Sequence, residues 1–213
     1  GVSFPGEASG VLRSPDRWSL RSAPTIAIGH EVSVTPLQLA MAYAAIANGG
    51  VMMRPLLVRE VRDPDGRVLS RDEPSASQRV FAERTTETVR AMLAAVVDSG
   101  TGKAARVPGL RVGGKTGTAQ KYDASVKGYG EGMYLSSFVG FAPADAPCLV
   151  GVVVIDEPRG RKYYGGEVAA PVFRNVVLDW RGLPHAPLQG APSMVAARPP
   201  APAPVTVPDL RLL

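Results

Sequence analysis

The residues best suited to chemistry lie together at Gly113-Gly114-Lys115-Thr116-Gly117-Thr118-Ala119-Gln120. The glycines let a backbone come close to a ligand. An ammonium and two hydroxyls can then hold an anion that backbone N–H groups also touch. In an extended strand Thr116 and Thr118 share one face, and Lys115 and Gly117 share the other. Gly117 has no side chain to obstruct a ligand. Lys115 needs local twist, or its long stem, to bring its charge to the same place.

Two patterns fit this stretch. Gly109 through Thr116 matches the phosphate-binding expression G-x-x-x-x-G-K-[ST], and Lys115-Thr116-Gly117 matches the K-T-G element of serine acyl-transfer sites. A phosphate loop requires a buried strand before it and a helix after it, so that the helix dipole and free N–H groups face the phosphates. Ala104-Ala105-Arg106-Val107-Pro108 is no buried strand, and Gly117 through Tyr122 has no helical period. Val152 through Glu157 resembles a strand ending in a magnesium-binding acid, but without that loop Asp156 and Glu157 read as a polar strand end. The context therefore disfavours a P-loop NTPase and favours a strand. A strand with few bulky side chains can present its backbone to an extended peptide.

The elements that must position this stretch follow from periodicity and capping. Gly1 to Ile28 reads as irregular, with a turn at Phe4-Pro5-Gly6-Glu7. Thr35-Pro36-Leu37-Gln38 is a capping box with proline at the first helical position. The helix runs to Ala47 and stops at Asn48-Gly49-Gly50. It is apolar almost all round, which predicts burial on most sides. Pro55–Val61 and Arg67–Ser70 read as a hairpin around Asp63-Pro64-Asp65-Gly66, and Arg71 to Ser77 as a loop. A helix from Thr86 to Asp98 carries Val89, Met92, Leu93, Val96 and Val97 at helical spacing and ends at Gly100. Strands are predicted over Arg111–Gln120, Tyr134–Ala142 and Cys148–Ile155, with a Gly/Tyr/Lys loop from Lys121 to Gly132. Short connections make these three an antiparallel meander. A last helix opens at Gly165-Gly166 and runs to Leu178 or Trp180, with Pro171 in its first turn. The expected class is α+β, an antiparallel sheet packed by helices.

Composition narrows the classes. The chain has 213 residues, 45% of them hydrophobic and 20% charged, as in an ordinary globular protein. The formal net charge of +5 is mild and suits an anionic surface. No basic cluster interleaves with aromatics, so nucleic acid is not expected. Cys148 is the single cysteine and sits in an apolar run, reading as a buried small hydrophobe. His30 and His185 have no ligating company, so neither a metal nor another cofactor is expected. His30 reads as structural or exposed, and His185 as exposed. Tyr122, Tyr129 and Tyr134 flank the site strand and read as packing that could also line a groove. Ser136 and Ser137 read as structural, and Arg159, Arg161 and Lys162 as a solvated basic turn. The longest apolar runs fall short of the roughly 20 residues a membrane span needs. From Pro184 the composition shifts to proline and alanine, with eight of the chain's 20 prolines in its last thirty residues. The expected organisation is a domain over 1–183, a linker over 184–206 and a further start at 207–213.

Five stretches in order carry a family resemblance: Phe4-Pro5-Gly6-Glu7; Val34 to Ala40 continuing through Ala44 to Gly50; Gly114 to Lys121; Ser136 to Pro143; and Tyr164-Gly165-Gly166 with Ala169 to Phe173. Together they resemble the C-terminal half of the transpeptidase domain of a class B penicillin-binding protein, most of all the septal, cell-division type. Val207-Pro208-Asp209-Leu210 resembles the opening of a PASTA repeat. The resemblance implies a peptidoglycan D,D-transpeptidase, in which a serine attacks the D-Ala-D-Ala end of a stem peptide and a second stem peptide's amine resolves the acyl-enzyme. β-Lactams mimic that dipeptide. It assigns Lys115 to the electrostatics of the site, Thr116, Gly117 and Thr118 to substrate binding, and the Thr118 N–H to the oxyanion hole. It implies an outer-face location on a membrane-anchored parent, with a membrane-embedded glycosyltransferase and division proteins as partners. The family's S-x-x-K and S-x-N motifs are missing: no serine here precedes a lysine by three, and Thr118-Ala119-Gln120-Lys121 is the nearest look-alike. The chain is therefore expected to be a fragment without catalytic activity of its own. A non-catalytic peptidoglycan- or β-lactam-binding module is the alternative.

Overall fold

In the computed structural model, residues 6–123, 125 and 128–183 are described, with the side chains of 123, 130 and 131 left aside. The linker, the 207–213 segment, His185, and Phe4 and Pro5 of the first resemblance stretch lie outside them.

The framework is a three-stranded antiparallel sheet in the order β7-β8-β9, formed by Gly113–Asp123, Gly128–Ala142 and Leu149–Asp156. The meander expected from the short connections is what forms. The loop expected over Lys121–Gly132 is instead strand for most of its length, because β7 and β8 continue pairing to Asp123↔Gly128 beyond a register shift between Gln120 and Tyr122. Cross-strand pairing outweighs the low strand propensity of the glycines there. Tyr122 and Tyr129 face each other edge-on with ring centroids 6.3 Å apart. They remain 62% and 66% exposed, since β9 pairs with β8 only from Leu135 onward.

Both faces of the sheet carry helices. On one face Phe138, Ala142 and Leu149 meet Ala170, Phe173 and Val177 of helix α5 (Ala170–Arg181). Phe138 and Phe173 lie 5.0 Å apart, centroid to centroid. On the other face Phe141 and Val150 meet Leu93 and Ala94 of α3 (Glu83–Asp98) and Tyr43 and Ile46 of α2 (Pro36–Ala47). Alternation along β8 sends Phe138 one way and Phe141 the other, which is how one strand serves two cores.

The capping box of α2 is present: the Gln38 N–H donates to Thr35 Oγ1 at 3.1 Å, and Thr35 N–H donates to Gln38 Oε1 at 2.9 Å. The expected burial of α2 on most sides does not occur. Ala45 is its fully buried residue, and the remainder is half-buried or exposed. Leu37 and Met41, with Met52, Met53, Leu56 and Leu57, line an open groove of about 830 Å³.

The hairpin around Asp63–Gly66 forms as β4 (Glu60–Arg62) and β5 (Val68–Arg71). Its turn is closed by Asp63 Oδ1, which accepts from the N–H groups of Asp65 and Arg67. The expected loop over Arg71–Ser77 ends in β6 (Ala76–Arg79), which pairs with β3 (Val51–Met53). The irregular N-terminal stretch contains a short strand pair, β1 (Val11–Leu12) with β2 (Val32–Ser33), and a short helix α1 (Ser22–Ala27). Glu31 ties this region together by accepting from the hydroxyls of Ser22 and Thr25, which hold its carboxyl below the usual carboxylate range. The final helix is broken in two: α4 (Gly165–Val168) and α5, with Pro171 in the first turn of α5. Cys148 is exposed rather than buried, at the end of the 143–148 connection, and partial desolvation pushes its thiol up.

Phe173 is 1% exposed and bridges the sheet to α5. Phe173→Ala is expected to destabilise the fold by about 3–5 kcal/mol, read as a lower urea midpoint with an unchanged slope.

Candidate active-site strand

Strand β7 is an edge of its sheet, so alternate N–H and C=O groups along it have no strand partner among the described residues. Gly114 to Gln120 pairs without interruption, placing Lys115 opposite Val139, Thr116 opposite Phe138, Gly117 opposite Ser137 and Thr118 opposite Ser136. Thr116 and Thr118 therefore share the Phe138 face, and Lys115 and Gly117 take the other, as strand geometry predicts. Lys115 Nζ donates to the Thr116 carbonyl oxygen at 2.8 Å. Lys115 and Thr118 are exposed, while Thr116 and Gly117 are half-buried.

Glycines make this arrangement possible by removing bulk where chains cross. A Cβ at Gly165 would lie 2.3 Å from the carbonyl oxygens of both Gly117 and Ser137. A Cβ at Gly166 would lie 2.3 Å from the Thr101 carbonyl oxygen. A Cβ at Gly114 would strike the Phe138 ring at 2.5 Å. Gly165-Gly166 thus does more than open a helix. It lets the chain cross directly over β7 and β8.

That crossing organises the hydroxyls. The Gly165 N–H donates to Thr118 Oγ1 at 3.0 Å. A hydroxyl that already accepts keeps its single proton for another acceptor. Thr116 Oγ1 shares a 2.8 Å hydrogen bond with Thr101 Oγ1. The crossing segment is pinned by Ser136, whose buried hydroxyl donates to the Tyr163 carbonyl. Tyr134 stacks on Tyr163 at 4.2 Å, and the Tyr163 hydroxyl donates to that of Tyr164 at 3.1 Å. Ser136 and Tyr134 are therefore structural supports of the site strand, whereas Tyr122 and Tyr129 pair with each other farther out.

Lys121, the lysine of the S-x-x-K look-alike, is not available for chemistry with Thr118. Its Nζ reaches Asp156 Oδ1 at 2.9 Å and Glu157 Oε1 at 2.6 Å, tying β7 to the end of β9. Hydrogen bonds to the two carboxylates raise its pKa. Asp156 and Glu157 are the polar strand end expected of them. No helix follows Thr116, which excludes a phosphate loop. His30 and the basic turn at Arg159–Lys162 are exposed. Among the described residues, no group of three or more His, Cys, Asp or Glu is placed to hold a metal.

Thr101, Tyr163 and the backbone of Gly165 were not legible as site residues. Gly100 signals only the end of α3, and nothing in the letters of Thr101 places it beside Thr116.

The edge strand thus carries a lysine, two hydroxyls and a glycine, Gly117, where a Cβ would lie 2.4 Å from Ser137 Oγ. The comparisons name the family. Residues 1–178 match the penicillin binding protein transpeptidase domain, and the chain belongs to that family. It is 42% identical over 180 residues to stage V sporulation protein D of Bacillus subtilis, covering 84% of this chain and 28% of that protein. It is 38% identical over 176 residues to the probable peptidoglycan D,D-transpeptidase PenA of Neisseria meningitidis, covering 82% of this chain and 28% of that protein. Its structure resembles penicillin-binding protein 3 of Mycobacterium tuberculosis complexed with aztreonam, with a TM-score of 0.75 and 38% identity, over 85% of this chain and 42% of that one. The chain thus spans under a third of the length of these two sequence relatives.

Two outcomes check the geometry. Gly165→Ala is expected to push the crossing segment off the strand and to cost about 1–3 kcal/mol, with faster amide exchange in β7 and β8. Lys121 has a folded pKa above its unfolded value, so its ion pairs stabilise the fold fully below about pH 10 and lose that effect as pH rises through the folded value. Lys121→Met should flatten the alkaline end of the stability–pH curve and leave the acid limb dominated by the carboxylates.

Proposed function

We propose that this segment is the substrate-binding strand and supporting core of a peptidoglycan D,D-transpeptidase that β-lactams acylate. The observation carrying the reading is the polarity of Thr118: its exposed hydroxyl, on an edge strand, accepts the Gly165 N–H and keeps its own proton for another acceptor. Family membership and the names of the relatives support the same reaction.

In this reading a stem peptide ending in D-Ala-D-Ala lies antiparallel along β7. Thr116 and Thr118 bind its terminal carboxylate. Lys115 supplies positive potential, and the Thr118 N–H forms part of the oxyanion hole. A serine from an S-x-x-K element, which is not among these 213 residues, attacks the penultimate carbonyl and expels D-alanine. The amine of a second stem peptide then displaces the serine oxygen. No S-x-N element is present either, so the isolated chain is catalytically inactive. The protein acts in the cell envelope, on the outer side of the cytoplasmic membrane, with division proteins and a glycosyltransferase as partners. Among the described residues no helix is long and apolar enough to cross a membrane.

Intact masses taken after β-lactam treatment test this. The full-length protein should gain one β-lactam mass and this chain none. Lys115→Met in the full-length protein should slow acylation by about 100-fold or more, as loss of a charge-stabilising donor does elsewhere. An adduct on this chain alone would place the nucleophile here and overturn the assignment. A full-length protein that never labels would instead indicate a binding module.

A further inference from the structure

Thr101 follows α3 in a turn whose backbone is held without help from its side chain. Gly100 N–H donates to the Ala95 carbonyl at 3.1 Å, Gly102 N–H to that of Val96 at 3.0 Å, and Ala105 N–H to that of Gly102 at 2.9 Å. The turn packs closely: a Cβ at Gly102 would lie 3.3 Å from the Phe138 ring, and the Thr101 carbonyl leaves no room for one at Gly166. The Thr101 side chain itself is exposed. Its hydroxyl reaches across to Thr116 Oγ1 at 2.8 Å, from a turn 15 residues earlier in the chain. A rigid turn therefore presents a hydroxyl whose partner is the middle residue of K-T-G.

We infer that Thr101 is a positioning residue that sets the donor direction of the Thr116 hydroxyl toward an anionic ligand. The inference rests on the reading of β7 as a carboxylate-binding edge. Two hydroxyls sharing one hydrogen bond have two protons between them, and the shared bond uses one. When Thr101 donates to Thr116, the Thr116 proton is left for the ligand, and the two bonds run head to tail as Thr101→Thr116→carboxylate. Hydrogen bonds in such a chain polarise and strengthen one another. Thr118 is arranged in the same sense, with the Gly165 N–H in place of the Thr101 hydroxyl. Both K-T-G hydroxyls are thereby turned into donors by a neighbour behind them. Without Thr101, Thr116 can rotate its proton onto a local backbone carbonyl instead.

The test uses the full-length protein and two probes: a β-lactam bearing a free carboxylate and the methyl ester of the same compound. Acylation rate constants are read by intact mass, with thermal unfolding in parallel. Thr101→Val is expected to slow acylation by the carboxylate compound about tenfold while changing the ester by less than about twofold. Thr101→Ser, which keeps the hydroxyl, should recover the wild-type rate with the carboxylate. Thr101→Ala decides the same comparison should the valine protein not fold. Equal losses with both probes would reduce Thr101 to a structural role, and an unchanged carboxylate rate would remove it from the site; either result overturns the inference. Wild-type protein that neither probe labels would instead defeat the transpeptidase reading on which it stands.

Discussion

The close passage of Gly165 over the Gly117–Ser137 pair is the constraint on which the site depends. There is no space for a Cβ between Gly165 and the two carbonyls beneath it. Because the chain can come that near, its N–H reaches Thr118 Oγ1. The same approach lets α4 and α5 descend onto the Phe138 face and close one of the two cores. A single side-chain-free crossing thus couples the packing of the C-terminal helices to the orientation of a binding hydroxyl.

Around that crossing the sheet divides its labour by parity. Even-numbered residues of β8 put Phe138 and Ser136 beneath the threonine face of β7, and odd-numbered ones put Val139 and Phe141 beneath the lysine face. Ser136 is buried but satisfied, because its hydroxyl is consumed in holding Tyr163. The stacked tyrosines beside it stiffen the segment that leads into Gly165. In the proposed function this rigidity counts, since a donor aimed at a ligand is effective only when its direction is fixed before binding.

Charge is arranged with similar economy. Lys121 is committed to Asp156 and Glu157, which leaves Lys115 as the cation at the centre of the edge strand. Its ammonium reaches along the strand to the carbonyl of the next residue, Thr116. The long lysine stem is what permits this.

Periodicity and capping were sufficient to read the meander, α3, and α2 with its capping box, because these depend on neighbours within a few residues. The K-T-G letters fall on a strand of the central sheet, and the order of five short stretches pointed to the family. What local sequence could not supply was contact between distant segments. The glycine-rich Lys121–Gly132 stretch looks like a loop, yet it forms a ribbon because Tyr122 and Tyr129 meet across it. The β3–β6 pair joins residues separated by a whole hairpin. α2 is apolar all round but half-exposed, since burial depends on what packs against a helix and not on its letters. Thr101 stands 15 residues from Thr116 in sequence and 2.8 Å from it in space. The sequence by itself determined which strand could bind an anion. Only the tertiary structure decided what meets its hydroxyls, the Gly165 N–H at Thr118 and the Thr101 hydroxyl at Thr116, because both partners come from other parts of the chain.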